Sequence, residues 1–314
     1  MISSRMRIYL CVSGLLALIV TFARLTVMSP SSRDQQPVSA RVTTSHDYPG
    51  AFAKLKQYQK LFSDSPESEV SVDPSNASTV TSWWQAAALI EWYIEDKPRY
   101  KCKNLKNFGN WAACMDHPFT VTPPCIVYSF GIAFDFSFDD AMAKHGCQVY
   151  SFDPSMGKPD YQRSKNSWFY NLGLSSYNTD KHRAPVDGRY VKKPQIWKLR
   201  TLTSIKKMLG HTGKAIDVLK IDIEGFEWKV LDNLMETGEL KLLRQFLLEF
   251  HLFPRFPPMH DYVKLYKSYT KLRKEHRFLE FSVSPHKQTL VKERFNVQGD
   301  SQFVNSLFLY PSSP

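Results

Sequence analysis

The stretch Asp217-Val-Leu-Lys-Ile-Asp-Ile-Glu-Gly-Phe-Glu-Trp-Lys-Val-Leu231 limits the possible folds more than any other part of the 314-residue chain. Val218 to Ile223 is short, rich in β-branched residues, and apolar on both faces apart from Lys220 and Asp222. That is the pattern of a strand inside a parallel sheet covered on both sides. Asp222 and Glu224 then place two carboxylates at the carboxyl end of the strand, and Gly225 permits a sharp turn. From Phe226 the spacing becomes helical, with Trp228, Leu231, Leu234 and Met235 along one side. Open α/β sheets bind ligands at that edge, which makes Asp222 and Glu224 candidate catalytic residues. The alternative is that one of them only caps the following helix, whose N-terminus favours negative charge.

Upstream, Cys125 to Ile132 is an apolar run that reaches glycine at Gly131, Asp135 to His145 is helix-like, and Gly146 stops the helix. Cys147 to Phe152 is the next strand and ends on Asp153. Strand, glycine turn, helix, strand, acid is the order of a nucleotide-binding βαβ unit. Gly131 lets a ligand approach the turn, and Asp153 can accept hydrogen bonds from both ribose hydroxyls; the alternative for Asp153 is a turn-former before Pro154. Trp168 to Leu174 reads as a third strand, and Ser175 to Ile196 as a basic surface excursion. The helix from Leu199 is capped by Thr201 or Thr203. A strand over Leu242 to Phe250 ends on Glu249 and His251, which can share or orient proton transfer at the edge. Asp261 to His276 reads as a helix, and Phe278 to Ser284 with Phe303 to Tyr310 as a closing pair of strands.

The N-terminus sets the context. Arg5 and Arg7 precede an apolar run from Ile8 to Met28 interrupted at Arg24, longer than a signal-peptide core of roughly 7–15 residues. Arginines ahead of the run favour a cytoplasmic N-terminus. The expected organisation is a cytoplasmic tail at 1–7, a signal anchor (or cleaved signal peptide) at 8–28, a disordered Ser/Pro-rich stem at 29–81 and a folded domain at 82–314. This is a single-pass type II protein facing the secretory lumen of the Golgi or endoplasmic reticulum, the alternative being a secreted one. Asn76-Ala-Ser78 is an N-glycosylation acceptor. Cys102 with Cys114 is the preferred disulfide, across an Asn-, Gly- and Lys-rich loop, while Cys125 and Cys147 read either as a pair or as free buried thiols. The segment from Lys97 to Pro124 reads as irregular. A net charge of +11 favours acidic partners, but no nucleic-acid signature accompanies it, so nucleic acid is not expected. No zinc spacing occurs, and although Asp222, Glu224 and Glu249 make a conceivable oxygen-ligand set, no metal site is assigned.

Leu219-Lys-Ile-Asp-Ile-Glu-Gly-Phe-Glu-Trp228 resembles the signature of FkbM-type S-adenosylmethionine-dependent methyltransferases, and from Trp83 to Tyr310 the chain resembles the methyltransferase-like protein 24 family (methyltransferase domain 22). The resemblance implies a Rossmann-like, doubly wound α/β sheet of the seven-stranded methyltransferase type. It implies S-adenosylmethionine as cofactor, held by Phe130, Gly131, Asp153, Pro154, Asn171 and Leu172, with Asn171-Leu-Gly-Leu flanking the adenine end. It also implies O-methylation, often of a sugar hydroxyl, which with lumenal topology and basic charge points to a glycan or other acidic acceptor. The chain departs from the pattern in two places: Ser129 stands near the usual first-strand acid, and Asp135 near a later glycine. Two other readings follow, a non-catalytic binding module on the same fold and a type II glycosyltransferase using Asp222-Ile-Glu224.

Overall fold

A computed structural model describes residues 48–66, 71–186 and 188–309. Its central sheet is built from β3 (Ile126–Phe130), β4 (Gln148–Phe152), β5 (Tyr161–Ser164), β6 (Ser167–Tyr170), β10 (Ile216–Ile221), β11 (Leu243–Leu252), β12 (Phe278–Pro285) and β13 (Val297–Asn305). The strand order is β12-β13-β11-β10-β3-β4-β6-β5. β11, β10, β3, β4 and β6 are mutually parallel, β13 runs antiparallel between β11 and β12, and β5 is an antiparallel edge strand. This mixed α/β sheet is consistent with a Rossmann-like methyltransferase fold, with β5 as one strand more than the seven expected. From β3 the chain builds outward one way through β4 and β6, and from β10 the other way through β11. The gap between the ends of β3 and β10 is therefore the topological switch point, where such sheets bind ligands.

Period-two alternation divides the core between the two faces. Tyr128, Phe130, Tyr150, Phe152, Leu219, Ile221, Phe246 and Leu248 point to one side. There they pack with α1 (Pro49–Phe62), α2 (Trp83–Glu95), α4 (Leu202–Met208), α5 (Glu227–Glu236) and α6 (Tyr262–Lys274). Val127, Val149, Val218 and Leu247 point to the other side, against α3 (Ser137–His145) and the hairpin of β1 (Leu105–Phe108) and β2 (Trp111–Cys114). Buried Gln245 fastens that hairpin: its Oε1 accepts from Cys114 N, and its Nε2 donates to the carbonyls of Cys114 and Phe119, each at 2.8 Å. Disulfides join Cys102 to Cys114 and Cys125 to Cys147. The second pair bridges the residues preceding the neighbouring strands β3 and β4, which decides between the two readings of those thiols.

Several expectations need correction. α1, placed in the stem by the sequence, buries Ala51, Leu55 and Tyr58 against α2. Lys54 meets Glu91 and Glu95, and the Tyr58 hydroxyl donates to Glu91 at 2.5 Å. The fold therefore includes residues well before Ser82, whose N–H donates to the Gln85 side chain at 2.9 Å in a capping box at the start of α2. The supposedly irregular 97–124 segment contains the β1–β2 hairpin. The third strand ends at Tyr170 because Asp160 takes the N–H of Asn171 and Tyr170 O takes that of Leu172, turning the chain out of the sheet. Gly173–Leu174 (β7) instead pairs with β9 (Ile196–Arg200), which also pairs with β8 (Thr179–Arg183), in a separate three-stranded sheet. The last strand begins at Val297 rather than Phe303, and residues Ser306–Leu309 form a 3-10 turn. The apolar run at 8–28 and the 29–47 segment lie outside the described residues. Among the described residues no helix is long and apolar enough to cross a membrane.

Candidate active site

The turn after β3 is packed directly against the end of β10. Gly131 has φ +78°, and a Cβ there would lie 1.6 Å from the carbonyl oxygen of Asp222. Only glycine fits, and the reason is contact between two strand ends. Asp222 N donates to Phe130 O at 3.1 Å, and buried Lys220 donates through Nζ to Gly131 O at 2.5 Å and Phe130 O at 3.3 Å. Asp153 closes the turn from the other side. Its Oδ2 accepts from Ile132 N (2.9 Å) and Ala133 N (2.8 Å), and its Oδ1 from Ser155 N (2.8 Å) and Ser155 Oγ (2.6 Å). A carboxylate offers about four acceptor positions, and here all are engaged by the protein. The ribose role expected for Asp153 does not fit that bonding; it is the brace of the β3 turn, and Ser155 would have to release it before it could take a ligand hydroxyl.

The acidic edge is organised by Glu227, the first residue of α5. Its Oε2 accepts from Gly225 N at 2.8 Å, and its Oε1 accepts from His251 N at 2.8 Å and meets His251 Nδ1 at 3.2 Å. Trp228 Nε1 donates to His251 O at 2.8 Å. The Glu-Gly-Phe-Glu-Trp run thus clamps the end of β11 to the start of α5, and Glu224, at φ +55°, tops the turn between β10 and α5. With Nδ1 tied to Glu227, His251 presents Nε2 to Glu249 at 3.1 Å, Glu224 at 3.9 Å and Asp222 at 4.0 Å. Glu249 continues to His286 Nδ1 at 3.2 Å, and His286 Nε2 to Asp300 at 3.3 Å.

Crowding carboxylates in a partly dry site changes their protonation. Burial, reinforced by Glu249 and Glu224 and opposed by Lys220 and His251, pushes Asp222 up to about 7. Burial also raises Glu224, and burial with the Glu249 charge raises Asp300 to about 6. Burial pushes His251 downward, but Glu227 and Glu249 outweigh it and hold the ring well above its ordinary value. Burial raises Glu249, yet the hydrogen bond and charge of His251, with the charge of His286, hold it below its usual range. An acid poised near neutrality stands beside an imidazolium. Asp222, Glu224 and His251 have ligand atoms within 4.8 Å of one another, as do Glu249, His286 and Asp300, and these are the groups that could offer a cation oxygen and imidazole ligands.

A cavity of about 580 Å³ opens beside this edge, within the roughly 300–1,000 Å³ of small-molecule sites. One end is lined by Phe130, Gly131, Phe152, Asp153, Pro154 and Ser155, and the other by Asp222, Glu224, Phe226, Lys229, Phe253 and Phe256. Phe130 and Phe152 stack at 4.6 Å and form a flat apolar wall. The third side comes from the small sheet and its loops, through Tyr177, His182, Tyr190 and Trp197. The excursion read as solvated surface is therefore a cavity wall. Of the residues expected to hold cofactor, Phe130, Gly131, Asp153 and Pro154 line the cavity; Asn171 and Leu172 do not, and Gly173, Leu174 and Ser175 take their place. Asp222 and Glu224 face the cavity, whereas Glu249 and His251 stand behind them. Glu227, His286 and Asp300 were missed. Glu227 sits inside the central motif and had a signal to read; Asp300 reaches the edge through the pairing of β13 with β11, where it stands opposite Glu249, and His286 through the pairing of β12 with β13.

With this geometry in view, the comparisons decide the family. A family model described as a methyltransferase domain (Methyltransf_22) matches residues 49–292. The chain belongs to this methyltransferase-domain family. The match begins at α1, in agreement with its packing into the core. The chain is also 34% identical over 148 residues to the "Probable methyltransferase-like protein 24" of Homo sapiens, and 35% identical over 148 residues to that of Rattus norvegicus. Each match covers 45% of this chain and 38% of the relative's own length. No solved structure matches.

Proposed function

We propose that this domain binds S-adenosylmethionine in the 580 Å³ cavity and directs its methyl group to a hydroxyl acceptor, a glycan or glycoconjugate of the secretory pathway. One observation carries the reading: in a methyltransferase-family chain, the cavity at the topological switch point runs from the braced β3 turn to paired carboxylates. The cofactor, when bound, supplies an already activated methyl group. The chain supplies the rest. The Phe130–Phe152 wall and the Gly131 turn give a flat apolar floor with backbone close at hand, and the aromatic wall of the small sheet excludes water. Asp222, raised to about 7, takes a hydroxyl proton at neutral pH, with Glu224 placed beside it to orient the acceptor. The lumenal setting is supported by two disulfides and by the arginine-flanked apolar run at the N-terminus. The net charge of +11 supports an acidic acceptor.

The fully engaged carboxylate of Asp153, with Ser129 in place of a first-strand acid, favours a second reading, a non-catalytic binding module. Calorimetry of S-adenosylmethionine with the purified chain separates them. Micromolar binding to the wild type, weakened in Asp153→Asn because the turn loses its brace and retained in Asp222→Asn, supports the methyltransferase reading. Absence of binding to folded, oxidised protein moves the assignment to the binding module.

A further inference from the structure

Asn76-Ala-Ser78 is the single Asn-X-Ser/Thr triplet in the chain, and the proposed activity makes no use of it. In the fold it occupies a short exposed turn, Ala77–Thr79 with Asn76 as its cap. The Asn76 Oδ1 accepts from Ser78 N at 3.1 Å and from Ser78 Oγ at 2.7 Å. Both contacts span two residues, so the turn forms from local sequence and does not wait for the domain. They fix the carboxamide through its oxygen. Among the described residues no hydrogen bond is recorded for Nδ2, and the residue is exposed.

The surroundings hold the turn without covering it. Thr79 Oγ1 donates to the carbonyls of Asp73 (3.1 Å) and Asn76 (2.8 Å), the Tyr266 hydroxyl reaches Pro74 O at 3.3 Å, and Lys274 Nζ donates to Ser75 O. Lys274 is the last residue of α6, which runs back from the carboxyl end of β11; Phe278, where β12 then begins, pairs with Asn305 at the opposite edge of the sheet. A bulky group on Asn76 lies next to this far end, clear of Asp222 and the cavity.

We infer that Asn76 is an N-glycosylation site of the folded protein, modified while the chain is in an oxidising lumen. In that step Nδ2 bonds to the anomeric carbon of a lipid-pyrophosphate-linked oligosaccharide. The anomeric C–O bond breaks, the lipid pyrophosphate leaves with the bonding pair, and one Nδ2 proton passes to a base; no electrons change hands. The inference rests on the lumenal part of the proposed function and not on methyl transfer.

The test is expression of the full chain in cultured animal cells, peptide:N-glycosidase digestion, and thiol mapping of the same sample. The expected result is one downward mobility step on digestion, Asp in place of Asn at position 76 in the digested peptide, and no step for Asn76→Gln or Ser78→Ala. Ser78→Thr keeps the hydroxyl and keeps the step, which separates loss of the acceptor from loss of the fold. Absence of the step with all four domain cysteines oxidised overturns the site while leaving the lumenal reading intact. Absence of the step with those cysteines free overturns both.

Discussion

Replacing Glu227 with Gln keeps the shape of a fully buried side chain and removes its charge. The carboxylate accepts from the backbone N–H groups of Gly225 and His251 through different oxygens. A carboxamide has one oxygen, so one of those N–H groups faces an NH₂, at a cost of about 1–3 kcal/mol. Breaking a buried ion pair costs about 3–5 kcal/mol when the remaining charge is left alone. Here His251 keeps Glu249 at 3.1 Å, which puts the total near the lower end, about 3 kcal/mol. At roughly 2–4 °C per kcal/mol for a domain of this size, the melting temperature falls by about 6–12 °C. The pH dependence has a definite sign. His251 is held above its ordinary value by Glu227 and Glu249, against the effect of burial. Its contribution is complete below the unfolded value of about 6.5 and is lost as pH rises through the folded one. Thermal unfolding followed by circular dichroism therefore shows the largest gap between wild type and variant near pH 6, narrowing toward pH 9. A gap below about 2 °C, or one unchanged across that range, refutes the clamp as described.

Two further outcomes follow from the same geometry. Gly131→Ala places a methyl 1.6 Å from Asp222 O at φ +78°, and urea unfolding should show a loss of about 3 kcal/mol or more, combining left-handed strain with overpacking. Glu249→Gln removes a charge that raises Asp222, so the Asp222 carboxyl resonance followed by ¹³C NMR should titrate below about 7; an unchanged or higher midpoint contradicts the coupling.

The backbone order of the central βαβαβ region was legible because each element carries its own local signal. The run from Val218 to Ile223 is apolar but for Lys220 and Asp222, Gly146 stops α3 at φ +105°, and Thr201 caps α4 by accepting from Ser204 N. β13 was placed late because Gln298, Asp300 and Gln302 look like loop; they are tolerated in a strand because β11 and β12 pair it on both sides. α1 was assigned to the stem because isolated short helices are marginal in water, and what holds this one is the face it shares with α2.

Local sequence was enough to set the acidic edge as a place: a strand ending in Asp222 and Glu224, a glycine turn and a helix, each with its own short-range pattern. Only the tertiary structure decided what those residues do to one another. Asp153 became a brace because two backbone N–H groups of the β3 turn reached it first, and Asp222 rose toward 7 because folding buried it and β11 added the charge of Glu249 beside it. The basic excursion became a cavity wall because β7 left the main sheet to pair with β9. Side-chain chemistry is written in the sequence, but hydrogen-bond occupancy and local dielectric depend on neighbours that are distant in the chain, and only folding brings them together.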